Sequence, residues 1–183
     1  MGIDWKGIVP FAIGALLVMA QRPVLILPQT PQTLILDAIA LAGFVALWVV
    51  VLQAWGRLPA QIPTHFGIDG RADAWGNRAW FWLLPSLGTL HIVLFTVLRR
   101  FPHTFNYLVP ITPDNALQQY TIACSLLNWL KAEVLWGFAY IEWQIAQVAL
   151  SGSGGLGVWF APVFLAVIFG TIGIWVRASL TAT

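Results

Sequence analysis

Charge is what this sequence has least of. Charged side chains make up 9% of the 183 residues, against about 25% in an ordinary soluble domain. A deficit of that size argues against water as the solvent for most of the surface. Neither sign is in excess: nine Lys and Arg against seven Asp and Glu leave a net charge of +2, scattered along the chain, which is too weak a footprint for DNA or RNA. Cysteine occurs once, as Cys124, so no intramolecular disulfide can staple the fold. Also missing are a Gly-x-Ser-x-Gly elbow, a His-Glu-x-x-His helix, paired cysteines and a phosphate-cradling glycine loop with an adjacent Lys. The reading is therefore of a protein that is not an enzyme, with no catalytic residues, no cofactor and no metal.

What is abundant is apolar. Hydrophobic residues make up 59% of the chain and Trp occurs 11 times, the latter a residue that gathers at the headgroup levels of bilayers. A helix needs roughly 20 mostly apolar residues to cross a hydrocarbon core of about 30 Å. Residues 34–54, 79–98 and 156–176 meet that test directly. A fourth segment is more polar: Thr112 suits an N-cap and Pro113 a first helical position, and the helical pattern then runs to Leu150. Its buried part is read as 129–150, with the earlier turns in water or the interface. Within it Trp129, Trp136 and Trp143 recur every seven residues, placing them on one stripe that faces lipid or a packing seam.

These segments predict an all-α integral membrane fold, a bundle of four transmembrane helices. An N-terminal membrane-associated segment (residues 1–33) precedes a multi-pass domain (34–183). Gly7 to Ala20 is too short for a standard span and is followed by Gln21 and Arg22. It fits a fifth membrane segment, an interfacial helix or a signal-like stretch, of which a retained membrane segment is favoured. With four spans, Arg22, Arg99, Arg100 and Arg177 share one side, and the residues between Trp55 and Arg78 fall on the other. The excess of basic residues near the spans places both termini in the cytoplasm and that loop outside, across the cell inner (plasma) membrane.

The loop 55–78 is rich in Pro and Gly. Pro59 and Pro63 rule out a regular helix and favour an extended path, while Asp69-Gly70 is a strong turn signal. The run Leu58-Pro59-Ala60-Gln61-Ile62-Pro63-Thr64-His65-Phe66-Gly67, followed by Asp69, Asp73, Trp75-Gly76 and Arg78, resembles the bacterial membrane domain of unknown function numbered 1648. That domain also occurs in SdpI-like proteins, some of which act in immunity to a secreted toxin and in signalling. Relatives often carry Lys where Arg78 stands here. Phe105-Asn106-Tyr107, Pro110-Ile111-Thr112-Pro113 and Tyr140 to Gln144 extend the likeness. The resemblance implies a small multi-pass membrane protein and supplies no reaction.

Two groups of residues are candidates for function. In the loop, Pro63, His65, Phe66, Asp69, Gly70, Asp73 and Trp75 either bind a ligand or simply build the loop. His65, Asp69 and Asp73 are of metal-ligating type, yet Asp commonly caps turns, which is the favoured reading. In the membrane, His91, Asn128, Lys131, Glu133 and Glu142 stand out because ionisable groups in hydrocarbon need a reason to be there. Helical phase puts Asn128, Lys131 and Glu142 on one stripe and Glu133, Tyr140, Gln144 and Gln147 on a second. Lys131 is expected to snorkel to the interface, Glu133 to act as packing glue, and Glu142 to have His91 as a neighbour. The leading expectation is recognition of a ligand, peptide or protein partner by the loop, with the lipid bilayer as the other partner. The alternative is a small proton-coupled transporter using Glu142 and His91.

Overall fold

The computed structural model describes residues 22–182. The expectation for Gly7 to Ala20 lies outside the described residues. Four long helices follow in order: α1 (Pro31–Ala54), α2 (Leu83–Leu98), α3 (Ala116–Ser151) and α4 (Phe160–Thr181). Between α1 and α2 stand two antiparallel strands, β1 (Gln61–Phe66) and β2 (Ala72–Asn77), so the chain is mostly helical but not all-α. The stretches Pro31–Arg57, Arg78–Leu98 and Phe160–Thr181 are each long and apolar enough to cross a membrane.

The helix bounds follow local chemistry. Helix α1 begins at Pro31 rather than Leu34, because the Thr30 side chain accepts from the Thr33 amide and Pro31 needs no donor partner at a helix start. Helix α3 begins at Ala116, not at Pro113. Thr112 and Asn115 bond reciprocally, the Asn115 amide to Thr112 Oγ1 at 3.3 Å and the Thr112 amide to Asn115 Oδ1 at 2.9 Å, in the manner of a capping box, and the Ala116 amide donates to the Thr112 carbonyl at 3.0 Å, so Thr112 caps one turn that precedes the continuous helix. It ends where Gly152 takes a left-handed conformation. Helix α4 starts at Phe160 because the glycines at 152, 154, 155 and 157, all at positive φ, hold the preceding segment in an irregular turn.

Helix α3 is the axis of the assembly. It has 36 residues, about 54 Å at the helical rise, and packs against α1, α2, α4 and β1. Four of its polar residues point inward: Gln119, Asn128, Lys131 and Glu142 are the buried polar or charged residues among those described. The apolar residues of its neighbours point outward. Helix α4 contains no buried residue and exposes Val163, Leu165, Val167, Phe169 and Ile174. Charge inside and hydrocarbon outside is the reverse of a water-soluble domain, and such a surface belongs in lipid.

Three helices are tied together by charge. The two oxygens of Asp37 on α1 accept from different cations, Oδ1 from Lys131 Nζ on α3 at 2.5 Å and Oδ2 from Arg99 Nη1 after α2 at 3.1 Å. Arg99 Nη1 also donates to Asn128 Oδ1 at 3.3 Å. Snorkelling of Lys131 is thus corrected: its side chain is 4% exposed, because a carboxylate on the adjoining helix meets it inside the bundle. Closer to the hairpin the contacts become apolar, with Val51, Ala54, Leu58, Ile62, Phe81 and Ala146 forming one cluster. The Trp stripe of α3 does both things open to it. Trp129, Trp136 and Trp143 are 38–46% exposed, while Trp136 lies against Gly43 and donates to the Ile39 carbonyl at 3.0 Å.

Chain direction puts the hairpin and the turn 152–159 at one end of the bundle. The other end gathers residues 22–30, the connection 99–115 and the end of α4. Arg22 Nη1 donates to the Phe105 carbonyl at 2.6 Å, Tyr120 to the Pro23 carbonyl at 3.2 Å, and Gln119 Nε2 to the Ala182 carbonyl at 2.6 Å. Tyr107 lies here too and donates to the Pro102 carbonyl at 2.9 Å. Burial, then the neighbouring Cys124 and Tyr120, push its phenol above the usual range against a smaller opposing effect of Arg22, so it stays a donor.

Breaking one partner of the buried ion pair leaves the other uncompensated, which costs about 3–5 kcal/mol. Lys131→Met and Asp37→Asn are each expected to lower resistance to denaturation in detergent by that order, and the double variant by less than the sum of the two; strict additivity would show that the pair does not interact.

Candidate functional site

The hairpin is built on its prolines and glycines. Pro63 has no amide hydrogen to give to a ladder, and the register slips beside it: Ile62 faces Gly76 and Pro63 faces Trp75, but His65 faces Ala74 and Phe66 faces Ala72. The base is closed by the Arg78 amide donating to the Ala60 carbonyl at 3.0 Å, and the tip by the Gly67 amide donating to the Arg71 carbonyl at 2.8 Å. Asp69 caps that turn, with Oδ1 accepting from the Arg71 amide at 3.1 Å. Gly70, at φ 74°, has the Gly157 backbone so close that a Cβ would lie 2.5 Å from its carbonyl carbon. The Leu156 amide donates to the Gly70 carbonyl at 2.9 Å, which clamps the tip to the turn before α4.

The loop candidates divide accordingly. Pro63 and Gly70 are buried and serve the hairpin's own construction, and Phe66 is half-buried. His65, Asp69, Asp73 and Trp75 are exposed. His65 Nδ1 and Asp73 Oδ1 lie 2.5 Å apart across the strands, where side chains of paired strands on one face meet. Asp69 is engaged in its turn, and no group of three His, Cys, Asp or Glu suited to a metal ion occurs among the described residues. The exposed face also presents two large apolar side chains, Ile68 at 100% and Trp75 at 49%. Ile68 was not singled out in the sequence; its place beside Asp69-Gly70, at the apex of a turn, was the available signal.

The membrane candidates separate into two sides of α3. Asn128 and Lys131 face α1 and the end of α2 through Asp37 and Arg99. Glu133 and Tyr140 face α4 and the turn before it: Thr171 donates to Glu133 Oε1 at 2.6 Å, and Tyr140 donates to the Leu156 carbonyl at 3.0 Å. Glu142 is fully buried, and neither of its oxygens has a hydrogen-bond partner among the described residues. His91 is not beside it. The imidazole packs on Phe95, with ring centroids 4.1 Å apart, and lies next to Leu130 and Lys131; from Lys131 to Glu142 is about 16 Å along a helix axis. Antiparallel packing of α2 on α3 sets this separation, carrying His91 toward the ion-pair end as Glu142 goes toward the hairpin. Asp37 and Arg99 were not among the candidates from sequence. The signal for them was a carboxylate in an apolar run and an Arg closing an apolar helix, each requiring a partner.

No solved structure matches the chain. An uncharacterized protein of Archaeoglobus fulgidus is 34% identical over 87 residues, covering 43% of this chain and 48% of that protein, so the chain spans about half the length of the relative it matches. Residues 42–89 match the family described as Domain of unknown function (DUF1648); they run from within α1 through the hairpin into α2, so the helix–hairpin–helix unit is the part of this chain that carries the family's signature.

Proposed function

We propose that the chain is a non-enzymatic inner-membrane protein of four transmembrane helices that recognises a peptide or protein partner through the hairpin 61–77, of the immunity or signalling type. The termini are cytoplasmic and the hairpin lies outside. The observation that carries this reading is a hairpin fixed at base and tip that presents Ile68 and Trp75 to the surroundings. Binding surfaces are strongest where a rigid scaffold offers aromatic and aliphatic anchors, because little freedom remains to be lost on contact. The His65–Asp73 pair beside them adds a polar group able to orient a partner. The DUF1648 match falls on the same unit, which is the part of the chain a shared role would use.

A second reading rests on Glu142. A buried carboxyl without a partner is suited to carry a proton if water reaches it, which would make the bundle a proton-coupled transporter. His91 has no part in it, lying at the level of Lys131.

A photo-crosslinking residue placed at Ile68 or Trp75 in living cells is expected to capture a discrete partner. Trp75→Ala should weaken that capture by roughly 30-fold, the effect of losing an interface anchor worth about 2 kcal/mol, and Glu142→Gln should leave it unchanged. Adducts only to lipid would refute recognition by the hairpin.

In proteoliposomes, recognition predicts no proton flux. Flux abolished by Glu142→Gln and unaffected by Trp75→Ala would establish the second reading instead.

Replacing Gly70 by Ala requires a disfavoured left-handed backbone, costing on the order of 1–3 kcal/mol, and collides with Gly157. Hydrogen exchange at the Leu156 amide is expected to accelerate in Gly70→Ala with exchange in the middle of α3 unchanged; an unaltered Leu156 rate would mean that the tip is not clamped.

A further inference from the structure

At the end of the bundle away from the hairpin, residues 24–30, the end of α2 and the first half of α3 enclose a cavity of about 480 Å³. Its walls differ in kind. One is the run Val24 to Leu27, of which Leu25 and Leu27 are half-buried and Val24 and Ile26 exposed, and the other offers Arg99, Arg100, Thr121, Ser125 and Asn128. No Asp or Glu lines it among the described residues.

The charge behind the polar wall does not cancel. Among the described residues, Arg99, Arg100 and Lys131 are set against a single carboxylate, Asp37, whose two oxygens are already taken by Lys131 and Arg99. Arg99 is also held in place before any ligand arrives, with Nη1 on Asp37 and Asn128, and Nη2 on Gln29 Oε1 at 3.4 Å. An Arg fixed in this way loses little freedom on binding, and with both Nη1 hydrogens and one on Nη2 already used it offers an anion its Nε–H and the remaining Nη2–H. Arg100 is exposed at the rim, where it can close over such a group. The cavity also meets the start of α1 at Thr30 and Thr33, the positive end of a 24-residue helix. An apolar wall beside a basic one suits a molecule with an anionic head and a hydrocarbon remainder, as basic pockets between membrane helices hold acidic headgroups.

We propose that this cavity receives a phosphate-bearing anion, gripped by Arg99 and Arg100. The site lies at the opposite end from the hairpin and does not depend on the role given to it.

The test uses the full chain in phosphatidylcholine nanodiscs and follows thermal unfolding as either phosphatidylglycerol is mixed into the disc or inorganic phosphate is added to the buffer. Stabilisation by phosphatidylglycerol alone supports the proposal with a lipid headgroup as ligand, and stabilisation by phosphate alone supports it with a soluble one. In either case Arg100→Gln should require roughly tenfold more of the stabilising species, the effect of one lost charge-assisted contact, Arg100→Lys should recover part of the loss, and Arg57→Gln, at the hairpin end, should behave as wild type. Stabilisation by neither species overturns the proposal, as does an Arg100→Gln response equal to wild type. An equal loss in Arg57→Gln also overturns it, because the effect would then be one of net charge.

Discussion

The ion pair between Asp37 and Lys131 is the constraint on which the bundle's arrangement rests. A lysine ammonium buried among helices needs a carboxylate, and Asp37 supplies one oxygen to it and the other to Arg99. Three helices are thereby fixed in register at one level. Such a pair adds little net stability over an apolar replacement, but an alternative register would strand a charge, and that penalty selects one packing over others. From this level toward the hairpin, α1 and α3 run side by side, with Trp136 on Gly43 and Ala146 beside Val51 and Ala54.

The most polar helix is the most central, and this follows from the same physics. Lipid tails offer no hydrogen bonds, so a helix carrying Gln119, Asn128, Lys131, Glu133 and Glu142 is best placed where other helices surround it. The stretches α1, the end of the hairpin with α2, and α4 can face hydrocarbon because they are apolar nearly all round. Glu142 departs from the pattern. Every other buried polar side chain of α3 singled out in the sequence has a partner, and its lack of one among the described residues distinguishes it chemically from Glu133, whose Oε1 accepts from Thr171.

Much of this was legible in the residues. The apolar runs located the long helices, the two polar stripes of α3 followed from helical phase, and Asp69-Gly70 marked the turn. What periodicity could not show was partnership. Lys131 reads as a snorkelling residue until Asp37 is known to lie opposite, 94 positions away. His91 and Glu142 read as neighbours until the antiparallel course of α2 carries one away from the other. The strands were hidden for a different reason: Pro63 interrupts β1 and the register slips beside it, so only an extended path could be inferred, not a paired one. Thr112 was legible as a cap, and it does close a first turn with Asn115, but the continuous helix is taken up only at Ala116, a difference of one turn that local signals do not resolve.

The bond from Leu156 to Gly70 joins two loops that are far apart in sequence. Helix α4 otherwise keeps its grip on α3 through a few polar contacts, at Thr171 and Ser179, and through Phe164 against Gly137. The hairpin tip is thus tied to the turn that leads into the helix with no buried residue, so a shift of either loop must carry the other with it or break this bond.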